Sequence, residues 1–278
     1  MTEQLQRKID QAIALIRAAG SDGSIVEIAY SGGKDSDVIL QLAKESGIKY
    51  RAIYKMTTID PSGTIQHVKK KGVEIVKPKE NFFQLVARKG LPSRRVRFCC
   101  EKLKEYKILD KCIIGVRKAE SVLRAKRYKE PTECKFYGNK KQHVEVFYPI
   151  LEWSDDDVQQ FIEDRQIECA PIYYSGGAFD VKKRLGCMCC PLLCRKKRIE
   201  EFKSYPNMLK AYVKYADIWR QKHQHTLTFK RYDSVYEWIA RDILFIRQSS
   251  FDEDRNSIFG KTDYKKLLED TFNVKFDK

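Results

Sequence analysis

The chain has 278 residues, of which 42% are hydrophobic and 33% charged, and its formal net charge is +16. This size suffices for one large α/β domain with a smaller appendage, and the composition excludes a low-complexity chain. No apolar stretch approaches the roughly 18 residues of a membrane-spanning helix, and the acid-bearing first residues exclude a secretory signal. The sequence therefore predicts a soluble cytoplasmic protein without a membrane partner. Its excess of Lys and Arg favours a nucleic acid partner, although a solvated basic surface would carry the same charge.

Strands and helices alternate through the first part of the chain, which is typical of βαβ units and a parallel sheet. Helices are predicted over 3–19, 35–45, 62–71, 81–89 and 100–110, and strands over 24–30, 50–56, 73–76, 111–116 and 145–150. Ser154 is predicted to cap a further helix, because three aspartates follow it at the positive end of the helix dipole. The polar residues 126–143 are predicted to form a loop on the active face.

The strand pattern stops near residue 170. A cysteine-rich segment, a basic run and helices rich in aromatic residues over about 198–248 follow, and the charged residues 249–278 indicate a peripheral tail. We therefore expect two domains. Residues 1–170 would form a doubly wound, mostly parallel α/β sheet that binds a nucleotide, and residues 171–278 a cysteine-rich, basic, helical region.

A phosphate-binding turn is predicted where the strand SIVEIAY is followed by SGGKDS and then by a helix. Gly32 and Gly33 allow the backbone N–H groups to approach phosphate oxygens closely. Ser31 and Ser36 add hydroxyl donors, Lys34 adds a cation, and the helix offers its N-terminus. An ordinary turn between a strand and a helix, in which Gly and Asp are common, is the alternative.

Several ordered elements resemble the phosphoadenosine phosphosulfate (PAPS) reductase family. SGGKDS resembles the PP-loop of the ATP pyrophosphatase superfamily, to which that family belongs. The segments RRVRFCCEKLK, GVRKAESVLR, YPILEWSDDDV and GCMCCP resemble four further elements of the family in the same order. The resemblance covers about residues 25–195 and implies an adenine nucleotide alpha-hydrolase-like fold that binds an adenine nucleotide at the turn.

The resemblance also implies which residues contact the nucleotide. They are Ser31, Gly32, Gly33, Lys34, Asp35, Ser36, Tyr54, Thr57, Gly115 and Arg117. Arg117 would reach the phosphates with its planar fork of donors. Glu120 would orient Arg117 or Arg124 or, alternatively, be an ordinary acidic residue at the start of a helix. Asp35 is a candidate Mg²⁺ ligand or, alternatively, the cap of the helix. Tyr54 and Thr57 lie where the family recognises the nucleoside, although ordinary loop polarity accounts for each of them equally well.

Five of the nine cysteines are candidate metal ligands, namely Cys99, Cys100, Cys187, Cys190 and Cys194. Cys99-Cys100 with Cys187-x-x-Cys190 resembles the ligand set of iron–sulfur sulfonucleotide reductases, which implies a [4Fe–4S] cluster. A zinc site or a redox pair is the alternative for a Cys-x-x-Cys motif. Cys194 exceeds the family pattern, so three ligands would come from Cys187, Cys190 and Cys194 and one from Cys99 or Cys100. The remaining thiol would then be free to carry sulfur.

The other cysteines have separate predictions. Cys134 lies between basic residues, which favour a nucleophilic thiolate, and is a candidate sulfur carrier. Cys112, Cys169 and Cys189 are predicted to be packing residues. The histidines show no metal-binding spacing, and His223 and His225 are predicted to lie at the surface.

Two reactions and one binding role fit this resemblance. In the favoured reaction, ATP adenylates an oxygen of a tRNA or DNA acceptor and sulfur from a donor protein displaces AMP, with catalysis assigned to Lys34, Asp35, Arg117 and Cys134. The alternative is reduction of adenylyl sulfate (APS) or PAPS to sulfite by a reductant protein, but the sequence shows no cysteine after Cys194 to attack the sulfur. A non-catalytic nucleotide-binding regulator is the third interpretation.

Overall fold

A computed structural model describes residues 2–137, 142–246 and 262–276. It divides into two compact units, the first formed by Met1–Pro78 with Leu103–Gly186 and the second by Lys79–Lys102 with Cys187–Lys278. This division differs from the predicted boundary at residue 170. The first unit continues to Gly186, and an early segment of the chain belongs to the second unit. Contacts between distant segments define such units, so a composition change along the chain does not locate their boundaries.

The first unit is built on a six-stranded sheet within the described residues. Its strands are β1 (Val26–Tyr30), β2 (Tyr50–Lys55), β3 (Glu74–Val76), β4 (Lys111–Ile113), β5 (Thr132–Tyr137) and β6 (Gln142–Phe147). They lie in the order β3-β2-β1-β4-β6-β5, and only β5 is antiparallel to its neighbour. This arrangement confirms the predicted mostly parallel α/β sheet.

The helices follow the predicted alternation. In chain order they are α1 (Glu3–Ala19), α2 (Lys34–Ser46), α3 (Thr64–Lys70), α4 (Phe82–Lys89), α5 (Phe98–Leu103), α6 (Val122–Arg127), α7 (Asp155–Asp164), α8 (Arg195–Ser204), α9 (Pro206–Lys222), α10 (Leu227–Arg231), α11 (Val235–Trp238) and α12 (Tyr264–Phe272). Ser154 caps α7 as predicted, since its Oγ accepts from Asp157 N at 3.1 Å and Asp157 Oδ2 accepts from Ser154 N at 2.7 Å. No helix among the described residues is long and apolar enough to cross a membrane.

The sheet order places the phosphate turn at the switch point of the fold. β1 pairs with β2 on one side and with β4 on the other. The strands that follow β1 therefore first extend the sheet on one side of β1, and the later strands extend it on the other side. Tyr30 at the end of β1 is in register with Tyr54 of β2. Because these strands are parallel, their carboxyl ends meet at one edge of the sheet, where ligands of doubly wound folds bind.

The structure corrects the prediction of a loop over 126–143. Thr132–Tyr137 forms β5 and pairs with β6, and the positions 138–141 lie outside the described residues. The prediction was wrong because β5 is an edge strand in which none of the residues 132–136 is buried, so the segment lacks the apolar run of a buried strand. A second hairpin, β7 (Tyr174–Ser175) with β8 (Ala178–Phe179), also contradicts the prediction that strands stop near residue 170.

The helix predicted over 100–110 is shorter, because α5 ends at Leu103. A buried ion pair uses the backbone beyond that point. Lys55 Nζ donates to Glu27 Oε1 at 2.5 Å and to Tyr106 O at 2.7 Å, and Glu27 Oε2 accepts from Ile108 N at 2.7 Å. These backbone groups bind charged side chains of the sheet, so the segment does not continue as a helix.

The second unit has a core of aromatic side chains. The ring of Tyr212 on α9 lies 5.5 Å from that of Phe82 and 5.2 Å from that of Phe202, measured between centroids. α12 buries Leu268 and Phe272, so this part of the predicted peripheral tail is packed against other residues. The positions 249–261 and 277–278 of that prediction lie outside the described residues. Most aromatic side chains of this unit are therefore committed to packing.

Candidate functional site

The SGGKDS turn forms a close backbone loop between β1 and α2. Gly32 has a φ of +78°, a conformation that favours glycine, and Gly33 is the N-cap of α2. Ser36 Oγ donates to Gly33 O at 2.7 Å, and Ser31 Oγ accepts from Gly33 N at 3.3 Å. A Cβ on Gly33 would lie 3.0 Å from Tyr173 Oη. The turn therefore brings backbone N–H groups and a helix N-terminus together, as a phosphate site requires.

Lys34 is held at this turn although only 3% of its surface is exposed. Its Nζ donates to Lys183 O at 3.3 Å and lies 3.4 Å from Asp35 Oδ2 and 5.4 Å from the centre of the Tyr173 ring. Burial raises the pKa of Tyr173 to about 12, so its hydroxyl stays protonated at neutral pH. Neither Tyr173 nor Lys183 was predicted from the sequence, because they lie far along the chain from the turn.

Arg117 lies next to the turn, and its guanidinium donates hydrogen bonds to two carboxylates. Its Nε donates to Asp35 Oδ1 at 2.6 Å, its Nη2 to Asp155 Oδ1 at 2.8 Å and its Nη1 to Trp153 O at 3.2 Å. A Cβ on Gly115 would lie 2.9 Å from Asp35 O, so only glycine permits this approach. Asp35 does not cap α2, because that position belongs to Gly33. Its binding to Mg²⁺ and the contact of Arg117 with phosphates stay predictions.

Further cations lie beside Arg117. Glu120 Oε2 accepts from Arg117 N at 3.3 Å and also binds Arg124 Nη1, in agreement with the predicted orienting role of Glu120. Arg184 donates to Glu120 O. Burial, followed by the positive charge of Arg184, lowers the pKa of Arg124. Arg184 was not predicted, since it adjoins the cysteine segment rather than a recognised nucleotide motif. The three arginines face three carboxylates, those of Asp35, Glu120 and Asp155, so the ammonium of Lys34 leaves this group with one positive charge in excess, which suits a phosphate ligand.

Tyr54 and Thr57 are engaged in the fold at the carboxyl end of β2. Tyr54 is buried in the core of the first unit. Thr57 is also buried, and its Oγ1 donates to Asp60 Oδ1 at 2.6 Å while its N donates to Asp60 Oδ2 at 2.9 Å. These contacts give both residues a structural role, and their contact with a nucleoside stays a prediction.

A buried polar network that the sequence did not predict lies behind the turn. Tyr30 Oη donates to Asp37 Oδ1, and His67 Nε2 lies 3.0 Å from Tyr30 Oη and 3.1 Å from Asp37 Oδ1. Burial and then the charge of Asp37 raise the pKa of Tyr30. The network joins β1, α2 and α3, so it fixes the direction in which α2 leaves the turn. Its members are separated along the chain, and no spacing motif marks them.

Both predicted cysteine segments belong to the second unit. Cys99, Cys100, Cys187 and Cys190 are half-buried and Cys194 is exposed. A hydrogen bond with Cys100, followed by burial and by the charges of Cys100 and Cys190, raises the pKa of Cys99. The two segments therefore share one neighbourhood.

The buried ring of Tyr212 lies among the same thiols. Burial raises the pKa of Tyr212 well above its ordinary value, and the nearby cysteines of both segments raise it further. The Tyr212 hydroxyl donates to Cys189 O at 3.1 Å. The hydrophobic core of the second unit therefore extends directly to the cysteine segments.

The chemistry of these thiols fits an iron–sulfur or zinc centre, since thiolates are the ligands that both prefer. A second observation fits an anionic centre. Arg198, of which 1% is exposed, leaves its buried Nε without a hydrogen-bond partner among the described residues. Within the same ranges, no three His, Cys, Asp or Glu side chains are drawn together closely enough to hold a metal ion. Ligation would therefore require the thiol side chains to turn toward one another.

The remaining cysteines lie as expected from their surroundings, with one exception. Cys112, Cys169 and Cys189 are buried, and burial raises the pKa of each thiol. Cys134 is exposed, but it lies on β5 opposite Glu145 rather than in a loop. Its role as a sulfur carrier stays a prediction.

Comparison with known families decides the class of this protein. Residues 25–193 match the family described as the phosphoadenosine phosphosulfate reductase domain. The chain belongs to this family. The match spans the phosphate turn, the Arg117 segment and four of the five predicted cysteine ligands, all except Cys194, and it confirms the resemblance found in the sequence.

Three relatives of similar sequence have names that describe no activity. This chain is 28% identical over 201 residues to an uncharacterized protein of Methanocaldococcus jannaschii, and the match covers 68% of this chain and 46% of that protein. It is 28% identical over 233 residues to a second one from the same organism, covering 72% and 46%. A 37.8 kDa protein of Escherichia phage 186 is 30% identical over 153 residues, covering 49% and 42%. The chain thus spans about half the length of the curated relatives it matches.

Two solved structures are similar to this chain. The PAPS reductase of Candida auris is 15% identical with a TM-score of 0.45, covering 63% of this chain and 94% of that chain. The U34-tRNA thiolase NcsA of Methanococcus maripaludis, solved with its [4Fe–4S] cluster, is 18% identical with a TM-score of 0.36, covering 80% of each chain. Values this low bear on no question of activity.

Proposed function

We propose that this member of the PAPS reductase domain family uses ATP to adenylate an oxygen of a nucleic acid acceptor and then replaces that oxygen with sulfur. The observation that supports it best is the SGGKDS turn, where backbone N–H groups and the buried ammonium of Lys34 meet at the N-terminus of α2. This arrangement suits a ligand with several phosphates, and Lys34 would neutralise charge on the phosphates that leave as pyrophosphate.

The first step is adenylation. The acceptor oxygen attacks the α-phosphorus of ATP, a bond to that phosphorus forms, the bond to the bridging α–β oxygen breaks, and pyrophosphate leaves. Lys34 and the turn stabilise the charge that develops on the leaving group, while Arg117 holds Asp35 and the start of α2 in place. Arg124 and Arg184 add positive charge beside the turn. Mg²⁺, when bound, would supply further neutralisation of the phosphates.

The second step is sulfur transfer. A nucleophilic sulfur attacks the activated carbon, a C–S bond forms, the C–O bond breaks, and AMP leaves with the acceptor oxygen. Where the sulfur is carried as a cysteine persulfide, a second thiol then attacks the carrier sulfur, the S–S bond breaks, and the resulting disulfide is reduced by a thiol reductant. We assign the ligands of a [4Fe–4S] cluster to Cys187, Cys190, Cys194 and one of Cys99 and Cys100, with the remaining thiol or Cys134 as a sulfur carrier. Such a cluster, when bound, would supply electron-transfer chemistry that isolated thiols lack. The sulfur itself would come from a donor protein.

A tRNA or DNA acceptor is supported by charge. The chain carries a net charge of +16, and basic residues are frequent on the surface of both units. Such an excess attracts polyanions and speeds their association. Binding should therefore weaken steeply as salt concentration increases.

The test uses anaerobically purified protein with α-labelled ATP, Mg²⁺ and either bulk tRNA or DNA. We expect labelled AMP together with pyrophosphate, and release that depends on one of the two nucleic acids. Intact ATP in the presence of both would contradict the proposal. A salt titration of the same reaction separates acceptor binding from ATP binding, because only acceptor binding should show a steep dependence.

The second candidate is an APS or PAPS reductase, and the family match itself favours it. Here a thiolate attacks the sulfur, the S–O bond breaks, and a thiol reductant releases sulfite. Sulfite formed from APS or PAPS, with ATP left intact, would support this reaction. Tight ATP binding without turnover of any of these nucleotides would instead support a nucleotide-binding regulator.

A further inference from the structure

Arg198 is a buried cation whose guanidinium donates hydrogen bonds to the loop between two predicted cysteine ligands. It lies on α8, and its Nη2 donates to Pro191 O at 2.5 Å and to Leu193 O at 2.6 Å. Its Nη1 donates to Ile243 O. Pro191 and Leu193 separate Cys190 from Cys194, so the guanidinium determines the path of the backbone that carries both thiols.

Arg94 reaches the same loop from the other cysteine segment. Its Nη2 donates to Leu193 O at 3.3 Å, so one carbonyl accepts from two arginines. Arg94 precedes the Cys99-Cys100 pair by only a few residues. The two cysteine segments are therefore tied together through Leu193, independently of any metal ion.

The charge of Arg198 has no carboxylate partner among the described residues, where its hydrogen bonds end on carbonyl oxygens. Its Nε is buried and unpartnered in the same part of the chain. A buried cation in this state is unfavourable unless an anion lies nearby. Cys190 and Cys194 flank the loop that the guanidinium binds, and their thiols become anionic thiolates when they bind a metal ion.

We propose that Arg198, assisted by Arg94, is the positioning residue and counter-cation of an anionic thiolate–metal centre formed by the cysteines of the second unit. This inference rests on the cysteine ligands assigned in the proposed function. Four thiolates around a [4Fe–4S] core or around zinc leave a net negative charge, and the Arg198 guanidinium lies where such a charge would be balanced. Groups that support metal ligands in this way typically change metal affinity by about 10- to 100-fold.

The test compares Arg198→Met with Lys196→Met, an exposed residue on the same helix. Each protein is loaded anaerobically with ferrous iron and sulfide. The measurements are iron per chain, the half-time of iron loss to a chelator, and the melting temperature with and without iron. We expect Arg198→Met to lose iron at least about tenfold faster and to gain less stability on loading. Lys196→Met should behave as the wild type, and Arg198→Lys should lie between the two because it keeps the charge without the fork.

Three results would overturn the proposal. The first is that Arg198→Met retains iron as long as the wild type does. The second is that the substitution lowers the melting temperature by the same amount with and without iron while iron retention is unchanged. The third is that the wild-type protein takes up no iron. Should Arg198→Met fail to fold, Arg94→Met decides, since this exposed side chain contributes one bond to Leu193 and its loss should still speed iron release. None of these measurements uses ATP. A wild-type protein that retains iron but forms no AMP would therefore contradict the proposed function and leave the role of Arg198 intact.

Discussion

Arg117 Nε donates to Asp35 Oδ1 at 2.6 Å and thereby joins the segment after β4 to the first turn of α2. The same guanidinium reaches Asp155 at the start of α7, so one buried side chain connects three separate segments of the first unit. This ion pair therefore fixes the start of α2, and with it the phosphate turn. This explains why the side chain predicted to contact phosphates is almost fully buried.

Arg117→Met should destabilise the first unit strongly. Removing one partner of a buried ion pair typically costs about 3–5 kcal/mol, because the remaining carboxylates lose their counter-charge. The control is Arg51→Met, which breaks the exposed pair with Glu74 and should cost less than about 1 kcal/mol. Urea unfolding followed by circular dichroism measures both. Equal costs would show that the Arg117 contacts contribute no more than a surface pair.

Lys34→Met should abolish nucleotide turnover without affecting iron binding. Lys34 lies at the turn in the first unit, whereas the predicted cluster ligands belong to the second. Loss of a positioned cation at a leaving group typically slows the chemical step by about 100-fold or more. Lys44→Met, an exposed substitution on the same helix, should leave the rate unchanged. AMP release and the visible absorbance of the iron–sulfur cluster are measured on the same samples. A loss of that absorbance in Lys34→Met would show that iron binding depends on the phosphate turn.

Alkylation of the native protein should distinguish exposed from buried cysteines. Cys134 is exposed, whereas Cys112 and Cys169 are buried and burial raises the pKa of both thiols, which leaves little reactive thiolate. Iodoacetamide at pH 8 followed by peptide mass spectrometry should therefore modify Cys134 before Cys112 and Cys169. All three should react at similar rates in urea. Rapid modification of Cys112 in the native protein would show that β4 opens readily.

Lys135 should introduce a pH dependence into stability. Burial, followed by the charges of Arg127 and Lys107, lowers the pKa of Lys135 from 10.5 to about 8. Between these values the unfolded chain binds the additional proton, so the free energy of unfolding contributed by this residue increases as pH increases. Below about pH 8 the lysine is charged in both states, and the unfavourable burial of that charge is fully present.

Urea unfolding at pH 7.5 and 9.5 tests this sign. The increase in stability between the two pH values should be smaller in Lys135→Met than in the wild type, because the variant lacks the titrating group. Lys129→Met, an exposed substitution nearby, should keep the wild-type increase. A wild-type and a Lys135→Met protein with the same pH dependence would contradict the lowered pKa.

Local patterns were sufficient to predict most of the elements and the phosphate turn. α1 was predicted with its observed bounds, and β1 and α2 within two residues, because hydrophobic periodicity and capping depend on neighbours along the chain. The turn residues are contiguous, so their joint role was visible in six letters. Two cysteine segments far apart in sequence were predicted to act together only through resemblance to a family, and the structure assigns both to one unit.

What the sequence by itself determined is the alternation of strands and helices, the Gly-rich turn between β1 and α2, and the membership of the PAPS reductase domain family. The tertiary structure alone decided that Arg117 binds Asp35, that Tyr30, Asp37 and His67 form one buried network, and that Arg198 supports the cysteine loop. The reason is physical. Burial and pairing of polar groups depend on which distant segments meet, and no periodicity along one segment records its partner.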